Sequence, residues 1–392
     1  MVATTGNKGD RIRSDCQVKL QLQEKGGINI KLQSKVERMF GEQIRQQALE
    51  VLEILGVTNA TLEIEDTGAL PFVIGARIEA AVKQLQSTRK SWIPNVIEQN
   101  RYETGRERFR FSRLYLPGNS PSMMLNAGIH QPDGIILDLE DSVAPDRKAE
   151  ARLLVRNALC QVDFYGAERM VRINQLPAGL EDLDEVVPQH LHLVLLPKCE
   201  HGAQLVEVVE RIQSILKAHK QEREIFLMPI IESCLGVENA FEIATASKSV
   251  VAMAIGLEDY TADLGVKRSE SGEESLYART RLVNACKAAG IQPIDSVYSD
   301  VANMDGLKKN VLTSRSLGFE GMGCIHPRQV PVIREAFIPG EDEIEKAMQI
   351  VKAFEVAQAR GSGVVALGSK MIDPPVVKRA QKTLELAKKI KS

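Results

Sequence analysis

The sequence of 392 residues is poor in aromatic residues and has no excess of one charge. Aromatic side chains make up 4% of the chain, with a single tryptophan, which disfavours a surface that stacks nucleic-acid bases. The 50 Lys and Arg residues are balanced by 52 Asp and Glu residues, so no general affinity for polyanions is expected. These two features together predict a protein without a nucleic-acid partner.

Long apolar runs and paired cysteines are also missing. No apolar stretch is long enough to cross a bilayer, and the polar segment 1–15 has no signal-peptide-like apolar core. The six cysteines are scattered without a C-x-x-C pair, which argues against a zinc site or a disulfide framework. We therefore expect reduced thiols that fill the core of a cytoplasmic protein with no membrane partner.

The hydrophobic pattern of residues 1–90 predicts a small α+β unit of the order ββαβα. Its predicted elements are a hairpin with strands at 18–22 and 28–32, a helix over 36–55, a strand at 61–65 and a helix over 70–85. The pair Gly26-Gly27 suits the hairpin turn. Residues 1–15 are polar and are expected to be mobile.

Residues 109–340 have a different rhythm, in which short apolar runs alternate with helical stretches. The runs are 112–116, 134–139, 169–173, 191–196, 225–231, 250–255, 291–296 and 321–325. Consecutive Val, Ile and Leu residues are typical of parallel strands buried on both faces. Eight such strands predict an α/β fold, a (β/α)8 TIM barrel. Residues 91–108 are expected to be a flexible linker, and residues 341–392 to add C-terminal helices and a lid.

Ionisable residues follow seven of the eight predicted strands, at the barrel end where chemistry takes place. They include Asp138, Glu140, Asp141, Arg172, Lys198, Glu200, Glu232, Glu258, Asp259, Asp295, Asp300 and His326. Buried charges must be paired, hydrated or bound to metal. Carboxylates without a His or Cys partner suit a hard cation such as Mg²⁺, and Arg172 and Lys198 suit an anionic substrate.

Several of these residues also fit plainer roles. The alternatives are capping of the next helix by Glu140 or Asp141, neutralisation of Glu200 by Lys198, and a structural role for His326. Glu232 and Asp259 are the best candidates for metal ligands, because they follow adjacent strands and are expected to point into the same barrel mouth.

Nine segments of residues 110–385 match, in order, those of a known family. They are FSRLYLPGN, GIILDLEDSVAPDRK, MVRIN, VLLPK, IIESCLG, AIGLEDYTADLG, IDSVYSD, GCIHPRQ and GSKMIDPP. Through them the chain resembles the citrate lyase beta-subunit family, within the wider group of citrate lyase-like and malyl-CoA lyase-like C–C lyases. Residues 1–90 resemble the acyl carrier (gamma) subunit of citrate lyase through VERMFGEQIRQQALEVLE, ATLEIEDTGAL and VIGARIEAAV.

The resemblance implies a Mg²⁺-dependent cleavage of a citryl thioester to oxaloacetate and an acetyl thioester. Glu232 and Asp259 would hold the metal ion, and Arg172 would stabilise developing negative charge. The implied substrate-binding residues are Tyr115, Glu140, Arg172, Glu232 and Asp295. The thioester would be carried by a covalent phosphoribosyl-dephospho-CoA group on Ser14, or it would be a free CoA thioester.

The resemblance also implies that Asp373 protonates the enolate left by cleavage. The equivalent Asp lies in a C-terminal lid that closes over a neighbouring subunit, so a homo-oligomer, a trimer or a hexamer, is expected. The plainer alternative is that Asp373 caps the last helix ahead of Pro374.

Two departures from the family pattern leave further alternatives open. Phe111-Ser112 stands where the family often has Arg-Ser, and Ser14 directly precedes Asp15, with Arg13 at the usual place of the modified serine. An unmodified carrier would make the protein a lyase for free citramalyl-CoA or malyl-CoA with a vestigial carrier domain. A non-catalytic carrier or assembly subunit is the remaining alternative, and a separate alpha subunit is a possible partner.

Overall fold

The N-terminal unit is built around a four-stranded sheet. The structure is a computed structural model, and it describes residues 1–359, 364–367 and 370–391. The elements of the unit are β1 (Val2–Gly6), β2 (Cys16–Leu22), β3 (Ile28–Ser34), α1 (Glu37–Ile54), β4 (Ala60–Asp66) and α2 (Pro71–Leu85). Both helices contact each other and the sheet, and their apolar residues share one core with the strands.

The strand order β1-β2-β4-β3 shows that the expected hairpin is wrong. β4 lies between β2 and β3, antiparallel to β2 and parallel to β3. Alternating apolar and polar residues tell which face of a strand is buried, but they do not tell which strand lies beside it.

The segment 1–15 is also more ordered than its polarity suggests. β1 pairs antiparallel with β2, and its Ala3 and Thr5 side chains are buried. Asp15 is buried too, because its carboxylate accepts hydrogen bonds from Arg77 at 3.0 and 2.9 Å. The loop between β1 and β2 therefore holds Ser14 against the rest of the unit, and the expectation of a mobile N-terminus is wrong.

Eight parallel strands form the predicted closed barrel. They are β5 (Ser112–Pro117), β6 (Gly134–Asp138), β7 (Glu168–Arg172), β8 (Leu193–Leu196), β9 (Phe226–Ile231), β10 (Ala252–Ile255), β11 (Gln292–Asp295) and β12 (Gly321–Cys324). Each pairs with the next strand in sequence, and β12 closes the barrel on β5. All eight predicted strands are confirmed, with ends that differ by at most two residues.

Helices surround the barrel, and in the described residues two helices and two short strands follow it. The barrel helices are α3 (Pro121–Leu125), α4 (Lys148–Gln161), α5 (Gly179–Val186), α6 (Gly202–Ala218), α7 (Cys234–Glu238), α8 (Ala240–Thr245), α9 (Leu257–Leu264), α10 (Leu276–Ala289), α11 (Met304–Leu317) and α12 (Gln329–Phe337). The C-terminal elements are α13 (Glu341–Ala359), β13 (Val365–Leu367), β14 (Lys370–Ile372) and α14 (Pro374–Lys391). Gly368 and Ser369, the first two residues of the segment GSKMIDPP, lie outside the described residues. No helix within the described ranges is long and apolar enough to span a membrane.

Residues 91–108 pack along the barrel and do not form the expected flexible linker. The Asn100 side chain is buried and donates hydrogen bonds to the carbonyls of Leu159 and Val162, at 3.2 and 2.7 Å. The hydroxyl of Tyr102 donates to the carbonyl of Ala167 at 2.5 Å. These polar contacts fix the segment without any hydrophobic periodicity, which is why the sequence pattern did not reveal them.

The segment covers the N-terminal face of the barrel, defined here by the starts of its strands. Arg110 and Glu168 form a bidentate ion pair there, with N···O distances of 2.7 and 2.8 Å, and both side chains are fully buried. Nearby, the Arg169 guanidinium lies 4.2 Å from the centre of the Tyr102 ring. This face is therefore closed by charges that satisfy one another and by the segment 91–108.

The N-terminal unit is docked on the barrel through α2 and α4. Arg156 of α4 binds Glu79 of α2 with distances of 3.0 and 2.7 Å. Arg77, whose side chain is fully buried, lies 3.4 Å from a carboxylate oxygen of Glu150 and donates to the carbonyl of Asn119 at 3.3 Å. Because Asn119 follows β5 and Glu150 begins α4, the docked unit lies beside the loops at the C-terminal face.

Candidate active site

A cavity of about 810 Å³ opens at the C-terminal ends of the barrel strands. Five of the predicted site residues line it together, namely Tyr115, Arg172, Glu232, Asp259 and Asp295. Tyr115, Arg172 and Asp295 belong to β5, β7 and β11, Glu232 directly follows β9, and Asp259 lies in the first turn of α9, after β10. These strand-end residues therefore border one mouth, as the sequence predicts.

Glu232 is the most strongly perturbed carboxyl group of the cavity. Burial, with the negative charge of Asp259 as a smaller cause, raises the pKa of Glu232 to about 8. One oxygen accepts the backbone N–H of Lys198 at 2.7 Å. The other lies where a Cβ on Gly256 would approach to 2.6 Å, so glycine at that position leaves room for the carboxylate. An ionised Glu232 at neutral pH therefore calls for a cation beside it.

Asp259 is nearly half exposed and shares a neighbour with Glu140. The ammonium of Lys198 lies 3.9 Å from an oxygen of Asp259 and 4.0 Å from an oxygen of Glu140. Glu200 instead accepts a hydrogen bond from the Ser233 hydroxyl at 2.6 Å. Lys198 therefore lies near two carboxylates of the cavity, Glu140 and Asp259. The alternative, in which Lys198 neutralises Glu200, does not match these contacts.

Arg172 is held by a cluster of carboxylates at the rim. Its Nε and Nη2 atoms donate to the two oxygens of Asp138 at 2.6 and 2.8 Å. Its Nη1 atom lies 2.9 Å from Glu140 and 3.4 Å from Asp141. The guanidinium also lies 5.4 Å from the centre of the Tyr115 ring. These contacts fix a positive charge at the edge of the cavity, and the hydrogen bonds and charge of Asp138 keep the pKa of Arg172 high in spite of its burial.

Asp138 is a residue that sequence reasoning did not select for the site. Burial opposes its ionisation, but the hydrogen bonds and charge of Arg172 outweigh burial and lower its pKa. It also accepts the backbone N–H groups of Glu140 and Ser142, at 3.0 and 3.1 Å. The sequence LDLED offers three acids in four positions, and only the contacts show that the strand's last residue is the one that binds Arg172 bidentately.

Glu140 also contacts Arg172, and it has a further partner in Gln175. Burial raises its pKa, and Arg172 acts in the opposite direction. The side chain of Gln175 donates to it at 3.1 Å. Lys148 donates to the backbone carbonyls of Leu139 and Glu140 at 2.9 and 2.8 Å.

Asp295 does not join the other carboxylates, although it contributes to the cavity wall. One of its oxygens contacts Arg279 of α10 and the Ser314 hydroxyl of α11, and the other accepts the N–H of Ser296 at 2.9 Å. All of these partners lie on the helix side of β11. A substrate contact by this carboxylate, as the resemblance implied, finds no support in this arrangement.

Asp373 and Ser14 do not line this cavity. Asp373 accepts the backbone N–H of Val376 at 3.2 Å and so caps α14, as the plainer alternative expected. Ser14 is half-buried with a positive φ of 57°, and its backbone N–H donates to the carbonyl of Thr67 at 3.2 Å. The structure therefore does not bring Asp373 or Ser14 together with the residues of this cavity.

The pair Glu232 and Asp259 fits a hard divalent cation. Within the described part of the chain, no group of three or more His, Cys, Asp or Glu side chains is arranged to hold a metal. Mg²⁺ is commonly bound by one or two carboxylates and keeps several waters, so a two-carboxylate site suits it. Because burial raises the pKa of Glu232, a cation beside this carboxylate would stabilise its ionised form.

Comparison with known protein families agrees with both parts of the fold. Residues 112–327 match the family described as HpcH/HpaI aldolase/citrate lyase. Residues 8–85 match a second family, an acyl carrier type described as the malonate decarboxylase delta subunit. The division into a carrier-like unit and a lyase barrel therefore appears at the level of family matches as well.

Individual relatives point the same way. The chain is 40% identical to the citrate lyase subunit beta of Haemophilus influenzae over 72% of this chain and 98% of that protein. It is 33% identical to the mitochondrial citramalyl-CoA lyase of Homo sapiens over 71% and 85% of the two chains. The structure of CitE from Mycobacterium tuberculosis with magnesium, acetoacetate and coenzyme A matches with a TM-score of 0.60 and 28% identity, over 72% of this chain and all of that one. The barrel, its strand-end carboxylates and these matches together establish that the chain belongs to the HpcH/HpaI aldolase/citrate lyase family.

Proposed function

We propose that this protein is a Mg²⁺-dependent carbon–carbon lyase that cleaves a citryl thioester to oxaloacetate and an acetyl thioester. The observation that carries the proposal is the meeting of Glu232, Asp259 and Arg172 at one cavity. Two carboxylates suit the metal ion, and the fixed guanidinium suits an anionic acid. The similarity to citrate lyase beta subunits supports the same reaction.

The reaction breaks one C–C bond of the substrate. The hydroxyl group of the acid loses its proton and becomes a ketone, while the bonding electron pair passes to the thioester fragment as an enolate. One proton delivered to the enolate carbon then gives the acetyl thioester, so the protons balance. Glu232 and Asp259 would hold Mg²⁺, which when bound would supply Lewis acidity to the oxygens of the acid.

Arg172 stabilises the negative charge that develops during cleavage. Asp138 and Glu140 hold its guanidinium in one orientation, so no reorganisation is needed at the moment of reaction. The Tyr115 ring lies against the same guanidinium and forms part of the cavity wall. Lys198 balances the charge of Glu140 and Asp259 before substrate enters.

Asp373 is the proton donor in this proposal, and it acts on the site of a neighbouring subunit. Support comes from its position in the C-terminal unit, which has its own small core of Phe354, Ile372 and Val377 and lies outside the cavity of its own chain. This requires a homo-oligomer, a trimer or a hexamer. Asn caps a helix about as well as Asp, so Asp373→Asn should keep the stability of the wild type. Turnover should collapse, because the variant lacks the proton donor.

Mixing Asp373→Asn subunits with Glu232→Ala subunits tests the action between subunits. Partial activity should return, because some sites would combine an intact mouth with an intact Asp373. No recovery in oligomers that are demonstrably mixed would contradict action in trans.

Ser14 is the proposed attachment site of the covalent phosphoribosyl-dephospho-CoA group. The match to an acyl carrier family and the position of the Ser14 loop beside the loops of the barrel mouth support it. A separate alpha subunit that exchanges the acyl group is the partner we propose for a complete cycle. The six free cysteines fit the cytoplasmic location that we propose.

The mass of the intact protein, purified from a host that has the modifying enzymes, tests the carrier part of the proposal. An added mass that disappears in Ser14→Ala, but not in the control Thr4→Ala at an exposed position of β1, would support it. The bare mass together with cleavage of soluble citramalyl-CoA or malyl-CoA would favour a free CoA-thioester lyase with a vestigial carrier. The bare mass without cleavage of any thioester would leave a carrier or assembly subunit.

A further inference from the structure

Arg113 is a charged residue in the interior of the barrel, on the cavity side of β5. It has 1% of its surface exposed, and it contributes to the wall of the same cavity as Glu232 and Arg172. The neighbouring strands place glycines beside it, since Arg113 pairs in register with Gly134 of β6 and Gly323 of β12. Two glycines at this level leave room for a long side chain where a barrel is usually filled with branched apolar residues.

The guanidinium of Arg113 has no anionic partner among the described residues. Its Nη1 atom contacts the sulfur of Met228 at 2.8 Å, and its Nε atom is buried without a hydrogen-bond acceptor. No carboxylate within the described ranges forms an ion pair with it. Burial lowers the pKa of Arg113 to about 10, so the side chain still carries its charge at neutral pH.

Other buried arginines of this protein are arranged differently. Arg110, Arg156 and Arg172 each bind a carboxylate at 2.6 to 2.7 Å. An unpaired buried charge costs several kcal/mol, and the cost is offset only when an anion arrives. Arg169 also lacks a carboxylate, but it donates to the backbone carbonyls of His190 and Tyr102. Arg113 differs from all four in that the only hydrogen-bond contact of its guanidinium among the described residues is the sulfur of Met228, and it lies deeper in the cavity than the rim network.

We propose that Arg113 binds the second carboxylate of the substrate acid and so selects a dicarboxylic 2-oxo acid fragment. This inference rests on the proposed lyase function and narrows it. The thioester arm must enter through the open mouth, so the acid end of the substrate points towards the floor of the barrel. A citryl thioester carries an additional CH2–carboxylate at that end, whereas a citramalyl thioester carries a methyl group there. Arg113 is thus a specificity-determining residue that favours citryl over citramalyl substrates.

The test compares Arg113→Met with the wild-type protein. Methionine keeps an unbranched side chain of similar length and removes the charge. The ratio of kcat/KM for citryl thioester to kcat/KM for citramalyl thioester should fall by roughly a hundredfold or more, because a buried cation that loses its carboxylate discriminates strongly. Met228→Leu, which removes the sulfur contact and keeps the charge, is the matched control and should leave the ratio within about threefold. An unchanged ratio in Arg113→Met would overturn the proposal.

Binding of the product acids gives a readout that does not depend on turnover. In the presence of Mg²⁺, the wild-type protein should bind oxaloacetate more tightly than pyruvate, and Arg113→Met should lose most of this difference, measured by calorimetry. If the wild-type protein cleaves no thioester but keeps this preference, the proposed function fails and the role of Arg113 stands. Equal affinity of the wild-type protein for the two acids would contradict the role of Arg113 and would leave the proposed lyase function unaffected.

The stability of the ligand-free protein separates binding from a structural role. Removal of an unpaired buried charge should leave the melting temperature of Arg113→Met equal to that of the wild type or higher. A large fall in melting temperature would show that Arg113 holds the barrel together, and it would overturn the proposal.

Discussion

At the N-terminal face of the barrel, Arg110 and Glu168 form a fully buried bidentate pair, whereas at the C-terminal face Arg172 and its carboxylates border an open cavity. The first pair is closed over by residues 91–108, and its charges are satisfied within the protein. At the second face Glu232 forms no ion pair with any residue that the structure describes, and the cation beside Asp259 is Lys198 at 3.9 Å. The same residue types therefore stabilise the fold at one end and leave room for ligands at the other.

The comparison predicts that one chemical change has opposite consequences at the two faces. Glu232→Gln changes the carboxylate that we propose as a metal ligand, so turnover should fall by roughly a thousandfold, equivalent to about 4 kcal/mol. The free energy of unfolding measured without Mg²⁺ should be unchanged or higher, since the neutral amide avoids the burial of a charge. Steady-state kinetics measures turnover, and denaturant unfolding measures the free energy of unfolding. Full activity of the wild type after treatment with a chelator would contradict the metal assignment.

Glu168→Gln makes the same change at the N-terminal face. It leaves Arg110 buried without its carboxylate, so the protein should lose about 3 kcal/mol of unfolding free energy. Turnover per folded molecule should stay within about twofold of the wild type. Urea unfolding and active-site-normalised kinetics give both values. A catalytic defect without a loss of stability would break the contrast between the faces.

A second matched pair replaces arginine by lysine. Arg172→Lys keeps the charge but cannot bind Asp138 with two parallel hydrogen bonds while it also reaches Glu140, so activity should fall by about a hundredfold. Arg110→Lys should cost stability and leave kcat/KM close to that of the wild type. Normal turnover of Arg172→Lys would show that only the charge at the rim matters.

The smallest predicted effect concerns His192, which lies at the N-terminal face. Burial, with the charge of Arg169 as the next cause, lowers the pKa of His192 to about 3 in the folded protein, while an unfolded histidine has a pKa of about 6.5. Below pH 6.5 the unfolded chain takes up a proton that the folded protein does not, so stability falls as the pH falls. This contribution reaches about 2 kcal/mol at pH 5.

Unfolding free energies of the wild type and of His192→Gln, measured at pH 7 and pH 5, isolate this contribution. The wild type should lose about 2 kcal/mol more than the variant over this interval. Parallel pH profiles for the two proteins would mean that His192 is protonated in the folded state.

The barrel could be predicted from the sequence because each strand is buried on both faces and therefore reads as a run of apolar residues. The mouth followed from the same pattern, since the ends of parallel strands meet, and this placed Glu232 and Asp259 together. The direction of Asp295 could not be predicted in this way. It follows Pro293 and Ile294, and two apolar neighbours do not tell which of them faces the barrel interior.

The misses in the N-terminal part have a common physical cause. β2 and β3 both alternate, but the strand that separates them is distant in sequence, and pairing over such a distance leaves no local pattern. The docking of residues 91–108 depends on single side chains such as Asn100 that donate to backbone carbonyls. Contacts of this kind have no period, so they are visible only in three dimensions.

The docked position of the N-terminal unit changes how substrate concentration should be counted. Arg77 and Glu79 join this unit to Asn119, Glu150 and Arg156 of the barrel, so a thioester attached to the Ser14 loop would never leave the neighbourhood of the mouth. Its encounter with the site would be intramolecular, at an effective concentration in the millimolar range that is independent of the pool of free thioester. The rate of such an enzyme would respond to the supply of free acid and to acyl exchange on the arm, and dilution that keeps the oligomer intact would leave each turnover unchanged.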